Sequence, residues 1–98
     1  MNPIELFERW EAFWDEEFVS HGVKRTKSGN WSSRASQEVF VDLECPDASA
    51  RATIWPEGKA ELEIVRTIDS SAVYYKITKT LTESDLDEWY ASFGDYTE

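Results

Sequence analysis

The chain predicts a single α+β domain, residues 1–98, built as a two-layer sandwich: an antiparallel meander of four or five strands flanked by an N-terminal and a C-terminal helix. Apolar residues recur at helical spacing at both ends and alternate with polar residues in between, and turn residues interrupt the alternating part at regular intervals. Five Trp, five Phe and four Tyr among 98 residues supply enough apolar area for one core and no more.

The first helix is signalled by Asn2 as N-cap, Pro3 at the first helical position and Glu5 as the capping-box acid. Leu6, Phe7, Trp10, Trp14 and Phe18 fall on one arc, and Glu5, Glu8, Ala12, Asp15 and Glu16 lie opposite, before Gly22 stops the helix. A basic segment, Lys24 to Lys27, follows, and Ser28-Gly29-Asn30 suggests a hairpin leading to a strand from Trp31. Strand parity puts Val39, Val41, Leu43 and Cys45 on a buried face, then Ala60, Leu62, Ile64 and Ile68, then Val73, Tyr75 and Ile77. A shorter strand from Ala50 to Trp55 fits between Pro46-Asp47 and Pro56-Glu57-Gly58, and Asp69-Ser70-Ser71 turns the last hairpin. Thr82, with Asp85 three residues on, opens a second helix whose stripe is Leu86, Trp89, Tyr90 and Phe93, with Gly94 as its end.

The net charge of −10 is concentrated at the ends: −5 over residues 1–19, +1 over 20–81 and −6 over 82–98. Such a field repels nucleic acid and anionic lipid and accelerates encounters with basic partners. The lone Cys45 leaves no internal disulfide, and neither a basic signal-peptide start nor a long apolar run is present, so a cytoplasmic location without membrane attachment is expected. Lys24, Arg25, Lys27 and Arg34 around Trp31 look like a single-strand nucleic-acid platform, but beside so many carboxylates they read better as partners of the chain's own acidic helices.

Little in the chain carries chemistry. Cys45 has the parity of a buried thiol, and His21 stands where a helix ends, a position in which histidine serves the last carbonyls. One His and one Cys are too few for a zinc site, and Asp85, Asp87 and Glu88 lack a calcium loop and read as a solvated helix face. No glycine-rich phosphate loop or dinucleotide fingerprint occurs. Neither an enzyme nor a cofactor or metal binder is expected; the surface aromatics, Trp55, Phe40 and Tyr74 by strand parity, beside carboxylates have the composition of a protein-binding patch.

The opening Asn2-Pro3-Ile4-Glu5-Leu6-Phe7-Glu8-Arg9-Trp10, the closing Leu86-Asp87-Glu88-Trp89-Tyr90 and the order of elements between them resemble the TriTu family of immunity proteins. The resemblance implies an acidic intracellular module that binds and neutralises a cognate bacterial toxin domain. In that family the partner is an Rhs-type ADP-ribosyltransferase delivered by type VI secretion that modifies elongation factor Tu. The expected mode is occlusion of a basic active-site cleft by a monomer in a 1:1 complex, with contacts from Trp55, Glu57, Tyr74, Asp85, Asp87 and Glu88. Two other readings fit a small acidic α+β chain: a dimeric secretion chaperone, and a DNA mimic whose helix carboxylates form a continuous double row.

Overall fold

In the computed structural model, which describes residues 2–31 and 37–97, the order is α1 (Pro3–Ser20), β1 (Lys24–Ser28), β2 (Val39–Cys45), β3 (Ala48–Ile54), β4 (Ala60–Arg66), β5 (Ala72–Thr78) and α2 (Glu83–Gly94). The five strands form one antiparallel sheet in chain order, β1-β2-β3-β4-β5. Both helices lie on the same face, α1 touching β1 and α2 touching β3 and β4, with the two helices in mutual contact. The α+β sandwich expected from periodicity is therefore present, with five strands.

Local signals act where they were expected. The Asn2 side chain accepts the Ile4 N–H at 2.7 Å, and Pro3 opens α1 with its missing donor at a position that needs none. Gly22 takes φ +66°, the left-handed turn that ends the helix. At α2 the capping box is complete: the Asp85 N–H donates to Thr82 Oγ1 at 3.2 Å, and the Thr82 N–H donates to Asp85 Oδ2 at 3.0 Å. Gly94 is the last residue of α2 and Asp95 is its cap, so Gly94 does not supply the left-handed stop expected of it.

The core is the space between helices and sheet. Ile4, Phe7, Trp10 and Phe18 of α1 and Leu86, Trp89, Tyr90 and Phe93 of α2 pack on Val39, Val41 and Leu43 of β2 and Leu62 and Ile64 of β4. The inward positions of β3 are Ala48, Ala50, Ala52 and Ile54, and three small side chains in the central strand leave room for the large rings above them. Trp10 is the hub, with its ring centroid 5.6 Å from Phe7, 6.0 Å from Phe18, 6.2 Å from Trp89 and 6.0 Å from Tyr90. Cys45 is half-buried at the core margin and donates its thiol to the Tyr96 carbonyl at 3.3 Å.

Three expectations are corrected. In β5 the parity is inverted: Val73, Tyr75 and Ile77 are 39%, 55% and 53% exposed, and Tyr74, Lys76 and Thr78 face the helices. A register shift between Ile64 and Val65 pairs them with Tyr74 and Ala72, leaving Val73 extra, and a one-residue slip exchanges the faces of a strand. Ile68, expected inside, is 88% exposed at the turn after β4. Trp31 does not open a strand; its ring lies 5.4 Å from Phe7 and its indole N–H donates to the Ser28 carbonyl, and the residues expected to continue the strand from 32 to 36 are outside the described ones.

Candidate functional site

Among the described residues the helices cover one face of the sheet and nothing covers the other. The register places Thr26, Asp42, Arg51, Glu63 and Tyr75 in one row across that face, and Ser28, Phe40, Thr53, Glu61 and Ile77 in the next. Alternation carries Trp55 to the same face, beside Lys59, whose ammonium lies 4.7 Å from the ring centroid. Arg51 is held by Asp42 through Nε at 2.8 Å and Nη2 at 3.1 Å, and its guanidinium stacks 5.3 Å from the Phe40 ring. This carboxylate, by hydrogen bond and charge, raises the arginine's already high pKa further. Next to the pair lies a hollow of about 250 Å³ lined by Asp42, Glu44, Ser49, Ala50, Arg51, Glu63 and Val65. Tyr75 extends across the face and donates its hydroxyl to Glu61 at 2.9 Å.

The bare face thus combines three apolar side chains on β5 and two further rings, Phe40 and Trp55, with Asp42, Glu44, Glu61 and Glu63. A monomer gains nothing from leaving such a mixture in water, and rings bordered by carboxylates match the anatomy of a binding surface. A second hollow, about 400 Å³, separates the helices and is lined by Arg9, Trp10, Phe13, Trp14, Glu83 and Asp87.

Of the six residues expected to contact a partner, the structure brings three together, on the helix side of β5. Tyr74 donates to Glu88 Oε2 at 2.9 Å, and the Lys76 ammonium lies 2.9 Å from both Asp85 Oδ1 and Glu88 Oε2. Asp85 is only 9% exposed, so it is not part of a solvated acidic face as its helix position implied; it caps α2 and ties the helix to β5. Tyr74, expected on the wet face, is half-buried against the core. Asp87 is exposed and accepts the Trp10 indole N–H at 2.9 Å beside the interhelical hollow. Trp55 and the exposed Glu57 stand apart from these, at the β3–β4 turn that closes one end of the bare face.

Burial pushes the Tyr74 hydroxyl up to about 12, and the Glu88 carboxylate that accepts its proton adds to the rise. Stability from this group is fully present below pH 10, the ordinary tyrosine value, and is lost as the pH climbs toward about 12. Lys76, raised by its bonds to Asp85 and Glu88, acts with the same sign above 10.5. Tyr74→Phe is accordingly expected to shrink, without abolishing, the alkaline fall in melting temperature between pH 9 and 11. An unchanged profile across that range would contradict the assignment.

The basic segment also finds its place. Arg25 and Lys27 point to the helix side, where Arg25 meets Asp15 at 2.7 Å and Glu11 at 3.3 Å, and Lys27 meets Glu11 at 2.9 Å and Glu8 at 3.8 Å. Their side chains also lie over Phe18 and Trp31. Arg25 and Lys27 pair with the acidic helix, as expected, whereas Lys24 is exposed opposite Glu44 and Arg34 lies outside the described residues. Among the described residues no group of three or more His, Cys, Asp or Glu is placed to hold a metal ion, and no helix is long and apolar enough to cross a membrane.

Comparison with curated proteins found no match, and comparison with solved structures found none. A family model described as "Immunity protein TriTu" matches residues 6–96, which takes in α1 after its first three residues, every strand described above and α2. The chain belongs to the TriTu family of immunity proteins.

Proposed function

We propose that the chain neutralises a cognate toxin domain with ADP-ribosyltransferase activity by seating its bare sheet face over the toxin's basic active-site cleft. The observation that carries this reading is the bare face itself: exposed Val73, Tyr75 and Ile77 beside Asp42, Glu44, Glu61 and Glu63, on a chain of net charge −10. A cleft that binds the anionic NAD carries positive potential, and a carboxylate-lined face reaches it quickly and competes for the same volume. Apolar burial then sets the slow dissociation. The toxin is of the Rhs type, delivered by type VI secretion with elongation factor Tu as its target, and neutralisation takes place in the cytoplasm by a monomer in a 1:1 complex.

Trp55 and Glu57 contribute from the end of the bare face, and Asp87 from the helix side. Tyr74, Asp85 and Glu88 contribute by pinning β5 to α2, which fixes the position of the exposed edge. A DNA mimic is less well served by this molecule: its carboxylates are spread over both layers, and Glu8, Glu11, Asp15, Glu83, Asp85 and Glu88 are each paired with the chain's own cations.

The test is co-expression of the chain with the toxin domain encoded beside it, followed by an NAD-dependent modification assay on elongation factor Tu. Restored growth, a 1:1 complex and a silenced transferase are expected; growth arrest in the presence of a folded chain removes the proposal. Glu61→Lys/Glu63→Lys should slow association by about tenfold at low salt and flatten its salt dependence.

A further inference from the structure

We infer that the free edge of β5 accepts an extended segment of the toxin as a sixth strand, with apolar side chains of that segment on Val73, Tyr75 and Ile77 and its cations directed to Glu61 and Glu63. This rests on the neutralisation reading and specifies how the contact is made.

A meander in chain order has two edges, and here they are unlike. β1 is only five residues long and exposes Lys24, a charge of the kind that discourages strand addition, while Arg25 and Lys27 are held by α1. β5 is seven residues long, without proline, and its one charged residue is Lys76. That lysine is no guard: its ammonium is drawn to the helix side and held at 2.9 Å by Asp85 and by Glu88. Among the described residues no strand pairs with the outer edge of β5, and α2 reaches the strand through the inward side chains of Tyr74 and Lys76. Backbone donors and acceptors are thus displayed along a strand whose outward side chains are 39%, 55% and 53% exposed and apolar or aromatic.

Charge decides the occupant. A second copy of the chain would bring another net −10 and another Glu61 and Glu63 to the seam, whereas a cationic protein segment is attracted by both. Main-chain hydrogen bonds supply the register in such an addition, and the side-chain alternation on the bare face supplies specificity.

The test uses the full chain and the catalytically inactivated toxin domain encoded by the adjacent gene. Val73→Lys/Ile77→Lys, at exposed positions where circular dichroism can verify an unchanged fold, should weaken binding by about 30-fold or more. Ala12→Gln, on the exposed side of α1 away from the bare face, should leave affinity unchanged. Amide hydrogen exchange across Ala72–Thr78 should slow in the complex, while that of Lys24–Ser28 stays as in the free chain. A complex that forms with β5 amides unprotected, and with the double variant binding normally, overturns the edge contact and leaves neutralisation standing. No complex with the unmodified chain overturns both. Light scattering that shows a dimer dispersed by the same double substitution assigns the edge to a second copy and overturns the inference as well.

Discussion

Replacing Trp89 with alanine is expected to lower unfolding free energy by about 3–5 kcal/mol, enough to threaten a domain whose total stability is on the order of 5–15 kcal/mol. Trp89 is fully buried and stands where the two layers meet, its ring 6.2 Å from Trp10 of α1 and its indole N–H donating to the Glu63 carbonyl of β4 at 3.1 Å. Truncation empties a volume that rigid neighbours cannot refill, because the strand below contributes alanines and the ring beside it is held by its own bond to Asp87. Urea unfolding followed by circular dichroism reads the effect, and Trp89→Phe should recover most of it, leaving a deficit of about 1 kcal/mol for the lost donor. A loss for the alanine variant below about 1 kcal/mol would mean that the layers are not locked at this residue.

Asp85→Ala is the second large effect, about 2 kcal/mol, because one carboxylate performs three tasks. It accepts the Thr82 N–H at 3.0 Å and the Thr82 hydroxyl at 2.9 Å, and it holds the Lys76 ammonium at 2.9 Å. Burial pushes its pKa up, but the bonds from Lys76 and from the Thr82 amide and hydroxyl outweigh burial, and the net shift is downward from 3.8. A lowered carboxyl contributes stability that is present above 3.8 and lost as the pH falls through the folded value. Glu88, lowered by its bonds to Lys76 and Tyr74, has the same sign. Asp85→Asn, similar in shape but without the titrating charge, should therefore be less stable at neutral pH and show a flatter acid limb. Equal slopes for both proteins between pH 5 and 2 would show that the Lys76 bond contributes nothing to folding. Because Lys76 lies in β5, the same substitution loosens the edge strand, and an effect on toxin binding larger than on stability would connect the two.

Element order and helix boundaries were legible because their causes are local. Asn2-Pro3, Gly22 and Thr82 with Asp85 act within one turn of the chain, and Phe7, Trp10 and Phe18 are buried where their spacing places them, with Leu6 and Trp14 half-buried beside them. The strand parities of β2 and β4 were equally plain, since Val39, Val41 and Leu43, like Ala60, Leu62 and Ile64, alternate with acids that have no partner inside. The intrachain role of the basic segment was also readable, from a charge balance that left those cations surrounded by carboxylates.

The face of β5 was not readable from its own residues. Val73, Tyr75 and Ile77 are the more apolar set, and a strand considered alone would bury them. They are exposed because Tyr74 and Lys76 find Glu88 and Asp85 on a helix that begins several residues later, and because a bulge opposite Val65 shifts the register by one. Charge and parity single out six contact residues, and the same interaction draws Tyr74, Asp85 and Glu88 into a structural cluster. Periodicity and capping act over a few residues and were sufficient for the α+β sandwich, its five-strand count left open by one. Which carboxylates neutralise the chain's own cations, and which face remains bare, depended on pairs far apart in the chain, and those distances exist only after the layers have packed.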